Sequence, residues 1–138
     1  MPTSESDPIE PDESLLRRVH VQQVPGGPPF TDGATRPNTG DTDGFSLYRA
    51  RFCDVLELVA MAPSSYYVVR FAAYDVLHLL EGTSLTLRAK PNGKPAGHSI
   101  IDGLTLALKR ENRQLYKATT GALATLANAS GGIARYPT

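Results

Sequence analysis

The 138 residues carry 14 Lys and Arg against 14 Asp and Glu, with 41% hydrophobic and 20% charged positions, which fits one soluble globular domain. Five acids, Glu5, Asp7, Glu10, Asp12 and Glu13, crowd the first 13 residues with no Lys or Arg, so the rest of the chain holds 14 bases against nine acids, a mild net +5. The single cysteine, Cys53, excludes an intramolecular disulfide framework, and no run approaches the ~18 apolar residues of a spanning helix; a cytoplasmic protein without a membrane partner is expected.

In chain order, residues 1–13 combine Pro, Ser and acids with little apolar surface to offset the entropy of ordering, and are expected to form a disordered acidic tail ahead of a single domain over 14–138. Ser14–Val24 reads as a helical turn or extended segment leading into a strand. The stretch from Pro25 to Gly44 holds four prolines and five glycines, which excludes a regular helix or central strand. Phe30 is expected to pin this long loop to the core. Phe45–Phe52 alternates as a half-buried strand without a clean apolar face.

Asp54 is placed to cap a helix over Val55–Ala62, stopped by Pro63. Tyr66–Phe71 is the clearest strand on β-branched and aromatic content. Ala72–Glu81 follows as a short amphipathic helix with Gly82 after it. Ser84–Lys90 alternates as a strand, Pro91-Asn92-Gly93 signals a turn, and Gly97–Ile101 gives one more strand. A last helix is expected from Lys109 to Asn128, ended by Gly131-Gly132, with a break at Gly121 open because glycine costs a helix about 1 kcal/mol relative to alanine. The order of elements predicts an α+β fold, a small mixed sheet with two or three helices.

The chemistry-bearing residues are few. His98 sits after Gly97 at the start of a strand, where a neutral-range imidazole is suited to proton transfer. The commoner explanation of such a histidine is a ring bonded to a neighbouring carbonyl at a strand edge. Arg17, Arg18, Arg36, Arg49 and Arg51 offer forks for a planar anion. Adjacent arginines on a strand point to opposite faces, so Arg17 and Arg18 cannot share one pocket if extended, whereas Arg49 and Arg51 share a face.

Ser46 with His98 suggests a hydrolase, but Gly44-Phe45-Ser46-Leu47-Tyr48 lacks the second glycine of a nucleophile elbow. Cys53, beside Phe52 and Val55, reads as a small buried hydrophobe. His20, His78, His98 and Cys53 have no metal-ligand spacing, and neither a dinucleotide nor a Walker phosphate motif occurs, so no cofactor or metal is expected. Lys109, Arg113 and Lys117, four apart, would line one face of a helix. That stripe makes nucleic acid a conceivable partner, with a solvated face the commoner reading.

Leu15-Leu16-Arg17-Arg18, Phe30 in its Pro/Gly loop, Arg36-Pro37, Phe45-Ser46-Leu47, a strand-helix-strand segment and Pro95-Ala96-Gly97-His98-Ser99-Ile100-Ile101 together resemble a family of small uncharacterised bacterial proteins. The resemblance spans about residues 14–103 and implies a bacterial cytoplasmic protein, sometimes part of a multi-gene system, with no activity or catalytic residue to carry across. This chain departs from the pattern after Ser46, where Leu47-Tyr48-Arg49 stands in place of an acidic residue.

The functional expectation is therefore an accessory, protein-binding component of a bacterial multi-protein system. The alternative is a transferase or hydrolase acting on an anionic substrate through His98, Arg49, Arg51 and Ser46. A concave pocket lined by these four residues is what the alternative requires.

Overall fold

The computed structural model describes residues 4–31, 33–54, 58, 66–91 and 96–129, and the backbone of 133–136. The expected α+β architecture is what it shows. Six strands, β1 (Ser14–His20), β2 (Gly44–Arg49), β3 (Tyr66–Ala72), β4 (Thr86–Ala89), β5 (His98–Asp102) and β6 (Ile133–Tyr136), form one sheet in the order β4-β5-β2-β1-β3-β6. Every neighbouring pair is antiparallel, so the sheet is not mixed in direction. Among the described residues three further elements are helices, α1 (Ala73–Leu80), α2 (Leu108–Glu111) and α3 (Arg113–Ala129).

Successive side chains on a strand point to opposite faces, and that rule separates two cores. One face presents Leu15, Val19, Phe45, Leu47, Val69, Phe71 and Ile101 to Val76, Leu80, Leu104, Leu123 and Ala127, all buried. Burial of each Val, Leu, Ile or Phe side chain among them contributes roughly 1.5–3 kcal/mol. The other face carries a smaller cluster of Leu16, Cys53, Leu58 and Val68, with Tyr48 and Ala50 against it. Cys53 is buried there as a small hydrophobe.

The long loop is tied down from two sides. Phe30 is buried, meets the Tyr67 ring edge-on at 5.4 Å, and exchanges two hydrogen bonds with the Asn128 side chain at the end of α3. Its backbone N–H donates to Asn128 Oδ1 and its carbonyl accepts from Asn128 Nδ2, each at 2.7 Å. Thr35 adds a 2.7 Å bond from its hydroxyl to the Thr120 carbonyl.

Residues 4–13 are where the structure departs most from the sequence expectation. Residues 4–13 pack on the sheet: Ile9 lies against the main core, and Ala73 and Tyr74 donate their backbone N–H groups to the carbonyls of Glu13 and Pro11. The anchor is Arg49, fully buried at the end of β2. Its Nε and one terminal nitrogen donate to the two Glu13 carboxylate oxygens at 2.7 Å each, and its remaining N–H groups reach the carbonyls of Glu5, Asp7 and Pro8. All five guanidinium donors are thereby used. A count of apolar surface overlooks an ion pair made 36 residues away.

The final helix also differs. Asn112 is extended (φ −151°) between α2 and α3, and its side-chain oxygen accepts the Leu115 N–H at 3.1 Å, starting a new helix. Lys109 therefore belongs to a different helix from Arg113 and Lys117, and the expected single basic stripe does not exist. Gly121 does not interrupt α3. The expected Val55–Ala62 helix, apart from Leu58, the Pro91-Asn92-Gly93 turn beyond Pro91, and the Gly131-Gly132 stop lie outside the described residues.

Candidate functional site

The residues singled out in the sequence fall into two places. Ser46 and Tyr48 project from β2 to the face opposite Phe45, Leu47 and Arg49. Across the strand pair Tyr48 aligns with His98, so Ser46 and His98 meet diagonally, with Oγ and Nε2 3.1 Å apart. Gly97 makes the approach to this strand: its φ is +88°, and a Cβ there would stand 2.9 Å from the Phe52 Cβ and 3.0 Å from the Arg49 carbonyl oxygen. Burial, helped by the nearby Lys90 charge, holds the His98 pKa below its ordinary value, so the ring is neutral at pH 7.

Arg49 and Arg51 do not join this pair. Arg49 is committed to the N-terminal segment on the far side of the sheet, and β2 ends with it, so the expected shared strand face stops short of Arg51. Arg51 turns to Glu13 and Asp12, at 3.5 and 3.7 Å. Among the described residues no carboxylate bonds the second nitrogen of the His98 ring, and no group of three or more His, Cys, Asp or Glu is gathered. His98 and Ser46 thus sit together without an orienting acid or an anion-holding arginine from the expected set.

The other place was invisible to motif reading. A cavity of about 500 Å³ opens at the end of the sheet where β1 gives way to the 3₁₀ turn Val21–Gln23. Four basic side chains line it: Arg18 and His20 from β1, Arg36 from the Pro/Gly loop, and Lys109 from α2. Gln23, Asn38, Thr39, Tyr66 and Tyr116 add polar groups, and no Asp or Glu lines it among the described residues.

Each basic group is held by its local chain. Alternation along β1 sends Arg17 and Arg18 to opposite faces, as their adjacency requires. Arg17 is buried over the Phe45 ring, 3.9 Å from its centroid, and bonds Asp41 Oδ2 at 3.2 Å and the carbonyls of Ser46 and Arg36. It serves as an internal strut that fixes the loop carrying Arg36.

Arg18 donates one terminal N–H to the Leu58 carbonyl at 3.1 Å and lies near the Tyr48 and Tyr66 rings. Its other donors have no partner among the described residues. His20 accepts the Gln22 N–H on Nδ1 at 3.0 Å, so the neutral ring carries its proton on Nε2. Arg36 and Lys109 are exposed and form no ion pair among the described residues.

The chemistry available here is anion binding. Three permanent cations and an imidazole converge with no counter-acid among the described residues lining the cavity, a setting that favours a ligand bringing negative charge. The sequence groups Arg18 and Arg36 with Arg17, Arg49 and Arg51 as candidates for an anion clamp, and the structure keeps only Arg18 and Arg36 of these at the cavity. The sequence places Lys109 on a stripe for nucleic acid, and does not connect His20 with either. The chain has no match among protein-family models, curated proteins or solved structures. Among the described residues no helix is long and apolar enough to cross a membrane.

Proposed function

We propose that the protein is an accessory binding component that recognises an anionic group of a protein partner in the cavity lined by Arg18, His20, Arg36 and Lys109. The bacterial, cytoplasmic multi-protein setting drawn from the sequence is part of the same proposal. The observation that carries it is the convergence of four basic groups from three separate segments on a wall with no acid among its described residues. Core packing supplies a rigid frame behind them, and two of the cations stand exposed where a partner can reach.

The test is fluorescence polarisation with a labelled Glu-containing and a labelled phosphoserine-containing peptide in low salt. At least one binds, its affinity falls as salt rises, and the doubly substituted R36A/K109A protein loses it at unchanged melting temperature. Absence of binding by any anionic probe, or binding indifferent to the double substitution, overturns the reading.

A hydrolase using Ser46 and His98 is favoured by one observation, the 3.1 Å contact between Oγ and a neutral imidazole. That reading requires covalent labelling of Ser46 by a fluorophosphonate, abolished in S46A and H98A. An unlabelled wild-type protein removes it.

A further inference from the structure

Resting on the anion-binding reading, we infer that the group recognised is a phosphate monoester on a serine or threonine of the partner, followed by a small apolar residue. The first argument is charge. Arg18, Arg36 and Lys109 bring three positive charges to one cavity with no acid among the described residues of its wall. A carboxylate answers one of them with two oxygens. A phosphate monoester carries about −1.5 to −2 at neutral pH on three acceptor oxygens, and matches two guanidinium forks and an ammonium together.

The second argument is shape. Beside the cavity lies a compartment of about 240 Å³ that shares Asn38, Thr39 and Leu106 with its wall. Thr42, Thr105 and Ala107 line that compartment, and Leu106 is one of the few large apolar side chains left exposed, at 41%. Asp41, also in its wall, is already held by Arg17. A cationic chamber beside a small one whose acid is already paired fits an extended peptide whose phosphorylated residue precedes a residue of alanine or valine size.

A nucleotide fits less well, because a base needs an aromatic face to lie on. The Tyr66 ring is engaged edge-on with His20, centroids 5.1 Å apart, and Tyr116 is buried in the main core. His20 and Arg18 already sit against the Tyr66 ring, and Tyr116 is 3% exposed.

The experiment compares labelled peptides of sequence Ala-Ala-X-Val-Ala-Ala with X as phosphoserine, glutamate or serine, in competition with inorganic phosphate and with adenosine monophosphate. The phosphoserine peptide is expected to bind at least about tenfold tighter than the glutamate peptide, to be displaced by inorganic phosphate, and to lose affinity in R36A/K109A. Replacing Val by Lys, or substituting A107L in the second compartment, should weaken the peptide while leaving the inorganic phosphate constant in place.

Equal affinity for the glutamate and phosphoserine peptides overturns this inference and leaves anion recognition standing. Tighter binding of adenosine monophosphate than of the phosphopeptide overturns the protein source of the phosphate. If no anion binds, this inference and the functional reading fall together.

Discussion

Arg49 shows how much one side chain can organise. A guanidinium with five donors is fully buried, and each donor meets an acceptor supplied by residues 5–13. Removing one partner of such a pair leaves an uncompensated buried charge, typically at a cost of about 3–5 kcal/mol. E13Q and R49A should each lower stability by about 3 kcal/mol or more in urea denaturation. Burial alone would raise the Glu13 carboxyl pKa, but hydrogen bonds from Arg49 and the Glu10 backbone and the charges of Arg49 and Arg51 outweigh it and leave the group below its usual value. The folded state therefore binds this proton less readily than the unfolded chain. The stabilisation is complete above the ordinary value of about 4.3 and is lost as pH falls below it. His98 behaves in the same sense nearer neutrality: its lowered pKa gives stability that is full above about 6.5 and declines as the pH drops. H98Q should flatten the upper part of the pH–stability curve, and E13Q the lower part.

At the scale of elements, local rules govern and the sequence was most legible. Strands β3, β4 and β5 and helix α1 lie within one or two residues of where periodicity and turn residues place them. Glycine within α3 is the informative case: nothing lies within 4 Å of a Cβ built at Gly121, and the helix runs through it. G121A should raise stability by about 1 kcal/mol, read as an upward shift of the thermal midpoint. N112A should lower it by about 1 kcal/mol, since Asn112 starts α3. The break at Asn112 escaped the periodicity because basic and apolar residues continue in helical spacing across it. Strand β6 escaped because four residues between a Gly-Gly pair and a proline carry too little pattern, and only pairing with β3 defines them.

For the whole molecule, what the sequence concealed is what long-range contact creates. The cavity draws on residues 18, 20, 36 and 109, each of which in isolation reads as an ordinary polar surface position. Likewise the acidic segment looks expendable until Arg49 is seen to need it. Deleting residues 1–13 should destabilise the protein at least as much as E13Q, and R49M in the deleted chain should recover part of the loss by removing the stranded charge. Recovery is read from the denaturation midpoint of the two truncated proteins. A truncation as stable as the full chain would contradict the arrangement.

The Phe30–Asn128 pair has a consequence for the cavity itself. Asn128 presents a carbonyl oxygen and an N–H at the spacing of a peptide group, so the tip of the loop is paired as though a short piece of strand ran beside it. This surrogate peptide sets the alignment of the wall bearing Arg36 and Asn38 against the helical wall bearing Lys109 and Tyr116. N128D keeps the acceptor, loses the donor, and sets a carboxylate against the Phe30 carbonyl. Such a chain would keep its fold while its two walls drift out of step, like a clasp whose pin has been filed down.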